Sequence, residues 1–553
     1  MSPAHTTHLR RMPDAHAEAL CNALHPRTLR WLFLGLVLVG QCCAQEAAAQ
    51  IFTKGVVPRL EFTLGPEGMA ALKAAPRTYT RASLLVDKKT SIAEVGLRLK
   101  GAAGSYRDID DAKPGFTVSL AKFGTGELHG LTKFHLNNCA QDESYLNEWL
   151  GGELMLAAKV PAARCGHARV FLDGRDLGLY VLKEAFDERF LKRHYADANG
   201  NLYDGGFCQD IDAELELDSG AGPEGREDLK ALIAACREPE PAARFVAIEK
   251  LLDVDRFLSF MAMELMLGHW DGYCMNRNNY RVHIDPRSSK FVFLPHGMDQ
   301  ILGDAEAAVL DYPVAMVAEA VMRNPDWRAR WRQRLTALLP VFARDKWKAR
   351  IEVWSERLEK PLESISKQAA QSQKQAARGL VQRLSARVQF LAEQAALPEP
   401  RTQSFDARGI AKLQGFTASH ESGAPQTRQT TVDRKRALEV AVGSAEPARA
   451  AWRRKVMLAR GRYEFRANLR LDGATAPARA ADATEQPPWG GRLQVPGLND
   501  GSFINTAAAW TPLTVTFEVL EDSRLVELRA ESFLGAGAAA FELASLQLIK
   551  LKQ

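Results

Sequence analysis

The feature that most constrains this chain is a change of hydrophobic period along it. Between residues 51 and 186, the segments "RLEFTL", "RASLLVD", "EVGLRLKG", "GFTVSLAKF" and "TKFHLNN" alternate apolar and polar side chains, the two-residue period of a half-buried strand. One helical segment, "DESYLNEWLGGELMLAAK", interrupts them, with Asp142 or Ser144 placed to cap it. A hairpin turning at Asp173-Gly174 follows. From residue 187 to 397 the apolar residues recur at helical spacing, as in "REDLKALIAACR", "AARFVAIEKLL" and "DVDRFLSFMAMELMLGHW", where Asp253 is the expected N-cap. Two strands, "RVHIDPRSSKFVFLPHGMD", break these helices. The prolines of "LPEPRTQS" (397–404) mark a linker, and alternation returns in "GRYEFRANLRL", "LTVTFEVL" and "FELASLQLIKL". The expected fold class is α+β, ending in an all-β sandwich.

The first residues carry a different signal. Arg27 and Arg30 precede the apolar run Trp31 to Gly40, and small residues follow, the layout of a secretory signal peptide with cleavage after Ala44 or Ala49. The run falls well short of the roughly 20 apolar residues that span a membrane. The expected location is therefore periplasmic, cell-envelope or extracellular. The expected segments are a leader at 1–49, two lobes at 50–186 and 187–400, and an accessory β domain at 401–553. Beyond the leader stand Cys139, Cys165, Cys208, Cys236 and Cys274. Their odd number leaves at least one unpaired within the chain, and no CxxC spacing supports a thiolate zinc site. The 72 basic and 67 acidic residues, net +5, are too balanced to favour nucleic acid as a partner.

The chemistry-bearing stretch is "LGHWDGYCMNRNNYRVHIDP", residues 267–286. His269-Trp270-Asp271 followed by Asn276 spells H-x-D-x-x-x-x-N, and "LPHGMDQIL" places Asp299 after the next strand. Phosphoryl transfer needs a carboxylate that positions the accepting hydroxyl, an amide and a second carboxylate for metal, and cations on the phosphates. Oxygen ligands of this kind suit Mg or Mn.

"DGYCMNRNNYRVHID" with "LPHGMDQ" resembles the CotH family of atypical secreted protein kinases. "LRLKGAAGSYRDIDDAKPGFTVSL" and "LNNCAQDESYLNEWLGGELMLAAKVPAARCGHARVFLDGRDLGLYVLKEAFDERFL" extend the resemblance to about residues 55–305. The resemblance implies a divergent protein-kinase-like two-lobe domain using ATP with Mg or Mn on a protein substrate. By it, Asp271 matches the catalytic aspartate and Asp299 the metal-binding aspartate, with Asn276 or Asn279 as the loop's metal ligand. Lys113, or else Lys100, would meet the α/β-phosphates, with Glu148 or Glu143 as partner carboxylate. The backbone of Lys183 to Ala185 would face adenine. The chain departs from the family at Lys100-Gly101-Ala102-Ala103, where Arg-Gly-Asn-Ser is usual. Compared with ordinary kinases, Met298-Asp299-Gln300 lacks the Phe-Gly after the aspartate.

Blander readings stand beside these. Asp271 can cap a turn, Asn278 and Asn279 can stabilise a loop, and His269 and His296 can orient their neighbours. The acidic run Asp210, Asp212, Glu214, Glu216 and Asp218 reads as a solvated face. Trp489 and Trp510 read as packing residues, with sugar stacking as the sharper option. Two functions compete with the kinase. One is a non-catalytic envelope or surface protein that binds glycan or protein, including cell-envelope carbohydrate, through its β-sandwich. The other is a glycoside hydrolase using Asp271 and Asp299, which requires their carboxyls about 5–9.5 Å apart.

Overall fold

Strand β1 (Arg59–Thr63) leads into helix α1 (Gly65–Ala74), and β2 (Thr80–Val86), β3 (Thr90–Lys100), β4 (Gly115–Ser119) and β5 (Lys133–Asn137) follow. Helix α2 (Asn147–Ala157) separates these from the hairpin β6 (Cys165–Leu172) and β7 (Arg175–Glu184). This computed structural model describes residues 48–310, 313–443, 446–478 and 486–552. The expected leader, 1–49, lies outside them apart from its last two residues. No helix among the described residues is long and apolar enough to cross a membrane.

The seven strands close into a barrel in the order β1-β2-β3-β4-β5-β7-β6. The closing pair, β1 with β6, is parallel. Leu60, Phe62, Leu97, Phe116, Phe134, Leu136 and Tyr180 belong to one buried core. Because strand side chains alternate faces, Arg98, Lys100, Thr117, His135, Asn137 and Lys183 lie on the other face of the same strands. The Asp173-Gly174 turn is as expected. Both residues have positive φ, 46° and 81°, and Leu172 pairs with Arg175 across them, which is the geometry Asp-Gly favours in a tight hairpin. Helix α1 is not foreshadowed by periodicity, since only Leu72 of it is buried. Helix α2 begins later than the capping residues suggest, and Asp142 Oδ2 accepts the N–H of Asn147 at 2.9 Å.

Next come α3 (Glu188–His194), β8 (Leu202–Asp204), β9 (Glu216–Ser219), α4 (Glu227–Arg237), α5 (Pro241–Leu251), α6 (Val254–Met266) and the single turn α7 (Tyr273–Asn276). The hairpin β10 (Tyr280–Asp285) and β11 (Lys290–Pro295) follows, then α8 (Met316–Met322), α9 (Pro325–Leu338), α10 (Arg344–Glu363) and α11 (Lys367–Ala396). Asp253 caps α6 by accepting the N–H of Arg256 at 3.1 Å. Strands β11-β10-β8-β9 form a four-stranded sheet, and Phe257, Tyr273, Tyr280 and Phe293 cluster with ring centroids 4.6–4.9 Å apart along the chain of contacts Phe257–Phe293, Phe293–Tyr273 and Tyr273–Tyr280.

The remaining strands are β12 (Ile410–Lys412), β13 (Thr417–Ser422), β14 (Gln426–Val432), β15 (Lys435–Val442), β16 (Ala448–Thr475), β17 (Gly490–Gln494), β18 (Thr511–Leu534), β19 (Ala536–Glu542) and β20 (Gln547–Lys550), all in one nine-stranded sheet. The two longest, β16 and β18, pair antiparallel on both sides of a register shift at Ala459/Gly461. Between β16 and β17, residues 479–485 lie outside those described.

The chain packs as two compact units. One holds the barrel with Ala163–His194 and Asp345–Val381, and the other holds Leu154–Ala162, Tyr195–Arg344 and Gln382 onward. Within the second unit the C-terminal sheet is joined to the helices by one buried ion pair and further polar contacts. Arg244 of α5 meets Glu521 of β18 at 3.0 Å, with side chains only 4% and 2% exposed. Arg524 reaches Glu319 of α8 at 3.2 Å, and Arg328 of α9 donates to Ser523 at 2.8 Å. All five described cysteines are free thiols. The mixture of helix and strand is the α+β class expected.

Candidate active site

The loop after α6 is built around one carboxylate. Asn276 donates a side-chain N–H to Oδ1 of Asp271 at 2.6 Å, and Asn278 donates to the same oxygen at 3.1 Å. Asn279 donates to Oδ2 at 2.7 Å and to the backbone carbonyl of Asp271 at 3.0 Å. An ionised carboxylate has roughly four acceptor sites, so three amide hydrogens fix its orientation and leave about one site open. The backbone permits this convergence because Arg277 and Asn279 adopt left-handed conformations, φ 53° and 49°, and asparagine tolerates that region better than most residues.

The loop rests on Glu264, which accepts the N–H groups of Tyr273 at 3.0 Å and Cys274 at 2.9 Å. Burial pushes the Glu264 carboxyl up to about 7, against the pull of those N–H groups. Tyr273 donates its hydroxyl to Asp210 at 2.9 Å, and Asp210 also accepts the N–H of Met316 at 2.7 Å. The rest of the acidic run is largely matched by arginine: Asp212 with Arg237, Glu214 with Arg226 and Asp218 with Arg281.

The segment leading to Asp299 docks on this loop. The carbonyl of His296 accepts from His269 Nε2 at 3.0 Å, and the His296 N–H donates to the carbonyl of Asn279 at 2.8 Å. Gly297 has φ 53°, and a Cβ there would collide with Asn279 Oδ1. Asp299 itself is half-buried in the turn two residues later. One arginine spans both sides of this assembly. Arg387 of α11, buried, donates to the carbonyls of Leu265 (2.6 Å) and Met266 (2.9 Å) before Asp271, and of Ala305 (3.0 Å) and Ala307 (2.5 Å) after Asp299. It thereby adds a donor at the end of α6, where the last carbonyls lack partners in the next turn; the Leu265 carbonyl also accepts the N–H of Gly268 at 3.1 Å. Sequence reasoning missed it, because a lone arginine in a polar helix carries no signal.

The barrel unit carries a second polar cluster. Lys183 of β7 and Glu148 of α2 form an ion pair at 3.0 Å, with side chains 1% and 2% exposed. Glu148 also accepts from Asn137 of β5 at 2.9 Å, and Asn137 in turn accepts from Lys100 of β3. Gly115 makes this reach feasible, since a Cβ at that position would lie 3.3 Å from Lys100 Cγ. Glu143 is exposed, so of the two carboxylates considered only Glu148 is in the cluster. Lys113 stands apart from it. Its ammonium meets the Tyr145 hydroxyl at 3.0 Å and lies over the rings of Tyr145 and Tyr180 at 4.6 and 5.3 Å.

The amino-acid pattern of the family described as CotH kinase protein matches residues 98–393. The chain belongs to the CotH family. Invasin CotH2 of Rhizopus delemar is 25% identical over 284 residues, covering 45% of this chain and 47% of the relative. Spore coat protein homolog 1 of the same organism is 24% identical over 280 residues, covering 47% and 44%. The match therefore spans a little under half the length of these relatives. Among solved structures, TmCBM61 in complex with beta-1,4-galactotriose is 11% identical and covers 25% of this chain and 88% of its own, with a TM-score of 0.17, too low to carry an argument.

Against the CotH expectation, the structure gathers Asp271, Asn276 and Asn279 into one cluster, and it joins Lys100, Glu148 and Lys183 into another. It does not pair Lys113 with Glu148. Lys183 lies mid-sheet, opposite His135 and Cys165, so its backbone is committed to the ladders and its ammonium is what it offers. The carbonyl of Ala185 already accepts the N–H of Asp187 at 3.1 Å. Glu184, whose neighbours Arg193 and Arg164 outweigh the effect of burial and hold it below the usual carboxylate range, is tied to those two arginines. Among the described residues no group of three or more His, Cys, Asp and Glu is suited to a metal. The residues expected as metal ligands, Asp299, Asn276 and Asn279, offer one carboxylate and two amide oxygens. That set fits Mg or Mn, which need few protein carboxylates when phosphate oxygens complete the shell.

Proposed function

We propose that this CotH protein is an exported kinase that transfers phosphate from ATP to Ser, Thr or Tyr hydroxyls of a protein substrate. The observation that carries this reading is the single carboxylate held by three asparagines, beside a docked segment that ends in a second aspartate. Bound ATP with Mg or Mn supplies the transferable phosphoryl group and a stabilised leaving group. The open acceptor site of Asp271 orients the substrate hydroxyl and takes its proton. Asp299, Asn276 and Asn279 hold the metal. Lys183, kept in place by Glu148, meets phosphate charge together with Lys100, which matches the lysine–glutamate pair that kinases require.

Calorimetry of ATP and Mn binding tests the assignment. Lys183→Met and Asp299→Ala are expected to weaken nucleotide binding in the presence of Mn at least about tenfold, and Lys113→Met less. Equal binding by all four proteins would refute it.

A second reading is a non-catalytic surface protein on the same scaffold, with residues 401–553 as a β-sandwich that binds envelope carbohydrate. The names invasin and spore coat protein among the relatives support a location at the envelope or outside the cell in either case, and the missing Phe-Gly after Asp299 favours the second. Both oxygens of Asp271 accept amide hydrogens, which disfavours its use as the nucleophile of a glycoside hydrolase.

A further inference from the structure

The sheet formed by β16, β18 and β17 carries a concave pocket of about 690 Å³, within the range of ligand sites. Its pivot is Glu531 of β18, which stands opposite Arg492 of β17. The Glu531 side chain is 1% exposed, and Arg492 meets it at 2.6 Å. Arg449 of β16 approaches its other oxygen at 3.5 Å. One buried carboxylate thus holds two guanidiniums, and the trio keeps a net positive charge. Arg492 spends a further N–H on the carbonyl of Asp500 at 3.1 Å. The terminal nitrogens of Arg449 have no hydrogen-bond partner among the described residues, and its side chain is about one-third exposed. The ring of Phe503 lies 4.4 Å from the Arg492 guanidinium and 5.9 Å from that of Arg449. Trp489, Gln486 and Asn505 complete the wall.

We propose that this pocket binds a saccharide bearing a carboxylate. It deepens the carbohydrate-binding role proposed above for residues 401–553 and rests on that reading. A guanidinium with two open N–H groups matches a carboxylate in a planar, bidentate way. The indole of Trp489 offers an apolar face to a pyranose ring, and the amides of Gln486 and Asn505 can each donate to and accept from ring hydroxyls. A small inorganic anion would engage the arginine and leave the other three side chains without a role. A neutral sugar would leave the guanidinium without its counter-charge.

The test is titration of the full chain, without nucleotide or metal, against oligogalacturonate, a hyaluronan hexasaccharide, cellohexaose and inorganic phosphate. At least one acidic saccharide is expected to bind about tenfold or more tightly than cellohexaose and phosphate. Arg449→Gln and Trp489→Ala are each expected to weaken that binding by about tenfold in a chain that still unfolds cooperatively. Should either fail to fold, Asn505→Ala, on an exposed loop position, is expected to weaken binding several-fold. Binding of the acidic chain unaffected by these substitutions would overturn the pocket while leaving the carbohydrate role standing. Equal binding of acidic and neutral chains would overturn the carboxylate, and displacement by equimolar phosphate would reduce the pocket to an anion site. If no saccharide binds, the carbohydrate role itself fails, and the kinase reading is untouched by any of these outcomes.

Discussion

Asn276 holds Oδ1 of Asp271 at 2.6 Å from five residues along the same loop. The bond makes Asn276 a positioning residue for Asp271 as well as a proposed metal ligand, through its two different amide atoms. Asn276→Ala removes both, whereas Asn276→Asp keeps an oxygen but sets a second carboxylate against the first. Both are expected to lower the phosphorylation rate about 100-fold, a loss on the scale of a misplaced catalytic group. The discriminating measurement is Mn dependence at fixed ATP: Asn276→Asp retains part of its Mn response and Asn276→Ala does not.

Gly297 is where the two halves of the aspartate motif touch. Its φ of 53° and the clash that a methyl group there would make with Asn279 Oδ1 leave no room for a side chain. Gly297→Ala is expected to destabilise the chain by about 1–3 kcal/mol, the usual scale of backbone strain of this kind, and to abolish labelling activity before it abolishes folding. Denaturant unfolding together with an activity assay at one temperature checks both parts.

Lys183 and Glu148 are both buried, so removing one strands the other. Lys183→Met alone is expected to cost about 3–5 kcal/mol, and the double variant Lys183→Met/Glu148→Leu to recover most of it. Nucleotide binding should not recover with it. That split, measured by urea unfolding and calorimetry, separates a structural ion pair from one that also serves a ligand.

Strands β1 to β5 were legible because their segments alternate apolar and polar residues, and the hairpin of β6 and β7 because the chemistry of its Asp173-Gly174 turn is local. Closure of the barrel by β1 on β6 was not, since parallel pairing of Leu60 with Val170 leaves no mark in either segment. The asparagine cluster was legible in kind: Asp271 and its three partners lie within nine residues, although which amide atoms face the carboxylate is a matter of backbone turn. The Lys183–Glu148 pair was hidden because it joins a strand to a helix 35 residues away, and a lysine inside an apolar strand reads as a solvent-facing slot. Helix α1 was missed because it buries a single leucine. The apparent linker at 397–404 reads as a boundary from its prolines, yet Glu399 is held by Arg328 at 2.5 Å.

Glu264 ties the active loop to pH. Burial raises its carboxyl to about 7 from an ordinary 4.5. Between those values the folded chain keeps a proton that the unfolded chain releases, so the Glu264 contribution to stability falls as pH rises through this window. It is fully present below about 4.5 and lost above about 7. The change amounts to about 3 kcal/mol. Glu264→Gln removes the titration. The unfolding free energy of wild type minus that of the variant is expected to fall by about this amount between roughly pH 4.5 and pH 8. A pH-independent difference would contradict it.

The most direct measurement of the central claim is transfer of labelled γ-phosphate from ATP with Mn by the purified protein, beside Asp271→Ala and Asp299→Ala. Label is expected in protein Ser, Thr or Tyr with the wild type, and to fall by about 100-fold or more in both variants, the scale on which a general base contributes. Equal labelling by all three proteins, or none by any of them while ATP and Mn bind normally, would contradict the kinase account.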